Sequence, residues 1–499
     1  MPFLPSRLPL ALPLSVTLLS GLASGAQEVR AWNRKLSQAM ASGGGVGSFE
    51  VARGRVVFAA DPEADGQTEL FTVPADGHAA PLRLNGPLGG GQDTWTFRLS
   101  SAGQRVVFTV AESGTARELH SAPLDASQPA VRIGGPLPAN RQLYDVLVSP
   151  DGARVVYSEL QFPSTYDVFS VPIDGGAAVP VGQGTYFAIT PDSTRVVTST
   201  PLSIAPLDGS TAPLVLAGVV GRPKVSPDSL RAVYLDGGVL HSVLLDGSAA
   251  PVALSQPAVS GGSVQLDFAL TPDGARVVYR QDLNVDQRFL LFSVAIDGSS
   301  APLVLNGPLT GGGDVAAFFL SAQGPRAVYR ADAALNNSFR IYSVPVDGSA
   351  DEIAVSVAIR SSNFGLSEAG DRAWFTWGAA LAVAPVDGSA PQTPMALGLG
   401  ALDSTTRFAP DGQSLLYLVR RRTSDPIQLY GQYANGVHAP VLLHPSFPAG
   451  REVRAFASDG RRVIYTADQD TDGLFELYTT KLLPRAQSAA PTGSVTLSY

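Results

Sequence analysis

The chain has no cysteine among its 499 residues, which excludes a disulfide framework, a thiolate zinc site and a cysteine nucleophile together. It is also poor in positive charge. Lysine and arginine number 35 against 43 aspartates and glutamates, for a net charge of −8, so a general nucleic-acid or anionic-membrane binder is excluded for want of cations to meet phosphates. Long apolar runs are missing beyond the first residues, and no later stretch approaches the roughly 18 residues of a membrane span. Catalytic signatures are missing as well: there is no GxSxG elbow, HExxH pair, GxGxxG leading into a helix, phosphate loop or sialidase Ser-x-Asp-x-Gly box. No catalytic residue is assigned on sequence grounds.

What the chain does have is turns. It carries 51 glycines and 39 prolines alongside 45% hydrophobic residues, the composition of a turn-rich globular protein rather than of low-complexity disorder. At the start, Arg7 precedes an almost wholly apolar run from Leu8 to Leu22, and Ser24 and Ala26 follow as small residues where a signal peptidase reads. The expectation is a signal peptide over 1–26, a flexible linker over 27–47, and a repeat array over 48–499. The mature chain is expected in the periplasm or outside a bacterial cell, with no transmembrane segment after signal removal.

The array announces itself by self-similarity. The run SPDGARVVY at Ser149 returns as TPDSTRVVT at Thr190, SPDSLRAVY at Ser226, TPDGARVVY at Thr271, SAQGPRAVY at Ser321 and APDGQSLLY at Ala409. Aligned on the residue after the turn, ten copies place Arg55, Arg105, Arg154, Arg195, Arg231, Arg276, Arg326, Arg372, Ser414 and Arg462 at one position. The nine steps average about 45 residues, the length of a four-stranded propeller blade. Within each copy a second run ends in Asp-Gly, as in ELFTVPADG at Glu69, DVFSVPIDG at Asp167 and RIYSVPVDG at Arg340. Short β-branched and aromatic runs between such turns read as four antiparallel strands, A to D. Both faces of RVVY are apolar, which suits a strand sandwiched between neighbouring blades. The fold class expected is therefore all-β, a β-propeller of ten four-stranded repeats, with a β-sandwich or β-helix as the competing architecture. Two five-bladed rings are also allowed by the count. An array without a linker near residue 265 favours a single ring.

These residues resemble the WD40-like or TolB-like (PD40-type) β-propeller repeats of bacterial secreted and periplasmic proteins, most clearly in SPDGARVVY and in the last copy, RVIYTADQDTDGLFELYTTKL. The resemblance covers about residues 48–499 and implies a propeller in an exported protein. TolB carries an α/β domain ahead of its propeller, and the stretch from Gln27 to Gly47 is too short to hold one.

In an A-B-C-D meander the A-B and C-D turns share one face, and the B-C and D-A connections share the other. The first face carries tight SPDG and DGS turns. The second carries loops that vary in length and content, the usual home of binding groups on a rigid scaffold. The candidate ligand-binding residues on that face are Trp95, Arg141, Tyr166, Tyr186 and Arg420, Arg421 and Arg422, for a protein, glycan or envelope component. His120 and His241 stand where sibling repeats have Phe or Tyr and are expected to pack as aromatic substitutes. The alternating carboxylates Asp468, Asp470 and Asp472, facing Asp61, Glu63 and Asp65 of the first repeat if the array closes, read either as solvent-exposed polar turns or as a calcium site; no other cofactor is expected. The tail SAAPTGSVTLSY is expected to supply the last outer strand. Two function classes stay open on these grounds: a noncatalytic binding or scaffold propeller, and an enzyme on the propeller mouth acting on a glycan as lyase or hydrolase.

Overall fold

The computed structural model describes residues 32–483 apart from 64–65, 101–103, 113–114, 136, 139, 257–261, 283–286, 310–311, 334–337, 358–362, 378–379, 396–400, 421, 423 and 449. The fold is all-β: ten four-stranded antiparallel sheets. Nine of them run in chain order as 45–83, 92–132, 141–183, 187–215, 224–253, 269–304, 315–354, 364–395 and 401–442, and form blades 1 to 9. Blade 10 takes Val453–Ser458, Arg462–Ala467 and Glu476–Lys481, and its fourth strand is Arg34–Lys35 from the other end of the chain. Arg34 pairs with Thr479 and Lys35 with Tyr478.

Two expectations are corrected by this pairing. The place assigned to the C-terminal tail is taken by Arg34–Lys35, and the tail itself lies outside the described residues. The stretch expected as a linker over 27–47 contains that strand, and the first strand of blade 1, Gly45–Ala52, begins within it.

The core lies between the blades. Val57, Leu70 and Leu84 of blade 1 pack with Phe97, Val106 and Phe108 of blade 2. The same arrangement recurs at the other junctions, including Val233 and Leu240 of blade 5 with Val277 and Tyr279 of blade 6. At the seam, Ile464 and Leu477 of blade 10 pack with Leu36, Val56, Phe58 and Phe71. A continuous junction between blades 5 and 6 rules out two separate five-bladed rings, and the seam closes one ten-bladed ring. Strand B explains why the burial is two-sided: in Arg276–Gln281 the residues Val277, Val278 and Tyr279 are all fully buried, so both faces meet a neighbour. Tyr157, Tyr234 and Tyr279 hold equivalent buried places at the end of the two-sided apolar run.

One face of the ring carries a repeated pairing of charges. The arginine at the head of strand B faces the C-D turn aspartate of the following blade: Arg55 with Asp125, Arg105 with Asp174 at 3.0 Å, Arg154 with Asp208, Arg195 with Asp246, Arg231 with Asp297, Arg276 with Asp347 and Arg326 with Asp387. Arg462 with Asp76 continues the series across the seam. The exceptions fit the topology. Blade 9 carries Asn435 in place of the turn aspartate, which interrupts the series at Arg372. Blade 10 has no C-D turn, because its D strand comes from the N-terminal end, and blade 9 carries Ser414 where an arginine would find no aspartate ahead of it.

The turn glycines answer to the same neighbour contact. Gly247 has φ +71°, and a Cβ there would lie 2.9 Å from Leu214 of the preceding blade. Gly77 of blade 1, at φ +66°, has Arg34 and Leu36 in that place, each 3.1 Å from where a Cβ would stand. A side chain at either position would be strained by both the backbone and the neighbour.

Candidate functional site

The A strands of neighbouring blades approach one another and form the inner wall of the ring. They are not uniform. Register shifts interrupt the A strands of blades 1, 2, 3, 7, 9 and 10. Each shift is a β-bulge, in which residues left out of the ladder are re-aimed, a feature concentrated beside functional sites. What it presents depends on the side chain. Blade 1 offers Gly47 and blade 7 Ala316, which add little; in blade 10 Arg454 lies 3.3 Å over the Phe475 ring. Blades 2 and 3 offer Trp95 and Tyr144.

Both inner strands, Gln92–Leu99 and Arg141–Val148, are held at the bulge by a hydroxyl from strand B. The Thr96 amide donates to Thr109 Oγ1 at 3.2 Å and the Asp145 amide to Ser158 Oγ at 3.2 Å. Blade 4 repeats the bond from the Tyr186 amide to Ser199 Oγ at 3.2 Å. The consequence is exposure: Trp95 is 59% and Tyr144 53% exposed. Full burial of such a ring stabilises by about 1.5–3 kcal/mol, so leaving two of them in water forgoes much of that gain.

The two rings share one pocket of ≈ 220 Å³, with Thr96, Arg98, Gln142 and Asp145 among its walls. Tyr166 meets Tyr144 edge-on, with ring centroids 4.9 Å apart. Arg141 stands at the head of the same strand, with Nη1 2.8 Å from Glu159 and Nη2 3.0 Å from Asp167. Its pKa is raised first by the hydrogen bond to Glu159 and then by both carboxylates, against the opposing effect of burial. Across the junction with blade 1, burial raises the Glu50 carboxyl while the Arg98 charge pulls it back down. A second recess of ≈ 500 Å³ lies along blades 1, 9 and 10, where Arg407 sits 5.2 Å over Phe456.

Of the residues proposed from sequence, Trp95, Arg141 and Tyr166 are therefore gathered around Tyr144. Tyr186 is in the next blade, 38% exposed, with Arg222 4.9 Å over its ring. Arg420 is elsewhere, in blade 9, with Nη2 3.2 Å from Glu452. Arg422 is exposed on the same blade and Arg421 lies outside the described residues. Tyr144, Gln142, Arg98 and Asp145 are among the members of the pocket that sequence reasoning missed. Aligning QDTWTFRLS with RQLYDVLVS on their final serines would have set Trp95 over Tyr144.

The two acidic loops belong to the blades on either side of the seam, blades 1 and 10, and several of their carboxylate oxygens are engaged by protein groups. Asp468 is buried and accepts from the Glu452 amide at 2.6 Å and the Gly473 amide at 3.0 Å. Asp61 accepts from the Gly66 amide at 3.0 Å. Lys35 places its ammonium against Glu476 and 3.7 Å from Asp470, supplying a cation at the crowded point. Asp472 and Glu63 are exposed, and Asp65 lies outside the described residues. Among the described residues, no three histidine or carboxylate side chains gather as a metal site.

No family model matches the chain, and no curated protein matches it. Among solved structures, a eukaryotic initiation factor is similar at 12% identity with a TM-score of 0.50, covering 78% of this chain and 95% of that one. A dipeptidyl peptidase 4 of Porphyromonas gingivalis follows at 10% identity and TM-score 0.49, covering 74% of this chain and 55% of that one. An oligogalacturonate lyase of Vibrio parahaemolyticus has 11% identity and TM-score 0.38, covering 91% of both chains. At such identities the likeness is one of fold.

Proposed function

We propose that the chain is an exported, noncatalytic binding protein whose ligand docks on the inner wall of the propeller at blades 2 and 3. The observation that carries this reading is the pair of bulges that hold Trp95 and Tyr144 open to solvent within one pocket. Single exposed aromatics are ordinary on protein surfaces. Two on adjacent inner strands, each with its bulge fastened by a hydroxyl from strand B, form a platform of the kind that dominates binding energy at recognition sites. The walls of the pocket contain one carboxylate, Asp145, among the described residues, which supports binding over the paired-carboxylate chemistry of a glycosidase. Export is supported by the apolar run Leu8 to Leu22 ahead of Ser24 and Ala26.

A ligand screen of the full mature chain, read by thermal shift and tryptophan fluorescence, tests the site. Ligands found in this way are expected to bind at least about tenfold more weakly to Trp95→Ala and Tyr144→Ala, with little change in the melting temperature of the free protein because both side chains are exposed. Undiminished binding to both variants would place the site elsewhere.

A further inference from the structure

The pocket between blades 2 and 3 combines two apolar ring faces with fixed polar groups. Tyr144 is braced by the edge of Tyr166, and Trp95 makes its exposed face available one blade away. Gln142 supplies an amide with both donor and acceptor. Asp145 is anchored, since its Oδ1 accepts from the Val146 amide at 2.9 Å.

Local charge then decides what kind of ligand fits. Arg141 is neutralised by Glu159 and Asp167, and Arg98 shares the pocket wall with Asp145. The neighbourhood therefore has no surplus of positive charge to meet a carboxylate, sulfate or phosphate. A neutral pyranose fits on each count: its axial C–H face is apolar and stacks on an indole or phenol ring, while its equatorial hydroxyls reach outward to amide and carboxylate. Successive ring faces on adjacent blades suit successive residues of a chain. The series ends at blade 4, where Thr185 occupies the aligned position and the Tyr186 ring is covered by Arg222.

We propose that this site takes a neutral oligosaccharide, with one sugar stacked on Trp95 and another on Tyr144. The inference rests on the binding-protein reading above and adds the class of ligand. The test titrates the full mature chain with neutral hexasaccharides of β-1,4-glucose, β-1,4-xylose, β-1,4-mannose, α-1,4-glucose and β-1,4-N-acetylglucosamine. A hexagalacturonate and a proline-rich peptide serve as the acidic and peptidic comparators, and calorimetric heat and tryptophan emission are followed together. The expected result is binding of at least one neutral hexamer with a change in emission, nearly independent of added salt, and weakened at least about tenfold by Trp95→Ala and by Tyr144→Ala. Failure of every neutral hexamer to bind overturns the inference. Trp95-dependent binding of the hexagalacturonate or the peptide alone overturns it too, yet leaves the docking site standing. Neutral hexamers that bind equally to wild type and to both variants overturn the inference and the docking site together.

Discussion

His120 lies on Phe108 with ring centroids 5.4 Å apart, and His241 on Tyr234 at 5.6 Å, in the place where sibling blades stack Phe71 on Phe58 or Tyr342 on Tyr329. Both histidines are aromatic substitutes, as their positions in the repeat predict. His444 is a different case. It follows the outer strand of blade 9, is 1% exposed, and stacks on Phe447 at 3.9 Å. With Nδ1 donating to the Pro445 carbonyl at 2.7 Å, Nε2 is left without a partner among the described residues. Burial holds its pKa down to about 4, against an ordinary value of 6.5. The unfolded chain therefore binds the extra proton first on acidification. This contribution to stability is fully present above about pH 6.5 and is lost as pH falls towards 4, for at most about 3 kcal/mol. Thermal melts across that interval should show a steeper acid decline for wild type than for His444→Phe, and parallel curves would show that the histidine plays no part in it. Nothing in the sequence marks this residue, because its environment is made by the neighbouring blade and the local repeat has no sibling histidine to compare.

Strand B is legible because its pattern is short, repeated and two-sided, and Tyr279 shows how much packing it carries. The side chain is buried at the junction of blades 5 and 6, its ring 5.4 Å from Phe292. Tyr279→Ala should cost about 3–5 kcal/mol, seen as a lower denaturant midpoint; an unchanged midpoint would refute the strand register that buries this ring. Strand A is less legible. Its bulges depend on extra residues and on a hydroxyl from strand B, so Thr109, Ser158 and Ser199 carry the signal in a position that looks like ordinary repeat variation. The aromatic site follows the same course: by sequence Trp95 and Tyr166 are isolated loop residues, and Tyr144, which joins them, has no mark of its own. Arg34–Lys35 is not legible at all, since two polar residues have no period and their partners, Thr479 and Tyr478, are at the opposite end of the chain.

At the scale of the whole ring, the repeat count leaves open how the array closes, and only side-chain contacts between blades settle it. Leu36 is 1% exposed against Phe58 and Leu477, the Ser37 hydroxyl accepts from the Leu477 amide at 3.3 Å, and Lys35 meets Glu476. Deletion through Leu36 should therefore lower the melting temperature and expand the molecule in small-angle scattering. Deletion of the last six residues should leave both near wild type, because the outer place in blade 10 is already filled; the reverse ranking would return that place to the tail. Closure by Arg34–Lys35 also makes the two ends of the ring depend on each other. A chain whose synthesis stops short has no Glu476–Lys481 to receive Arg34–Lys35, and one clipped at its start leaves that same edge strand bare. Either defect exposes an unpaired row of amides and carbonyls together with the apolar face around Leu477, a surface that invites aggregation and proteolysis. The ring is thus sealed only when Arg34–Lys35 and Glu476–Lys481 are both in place.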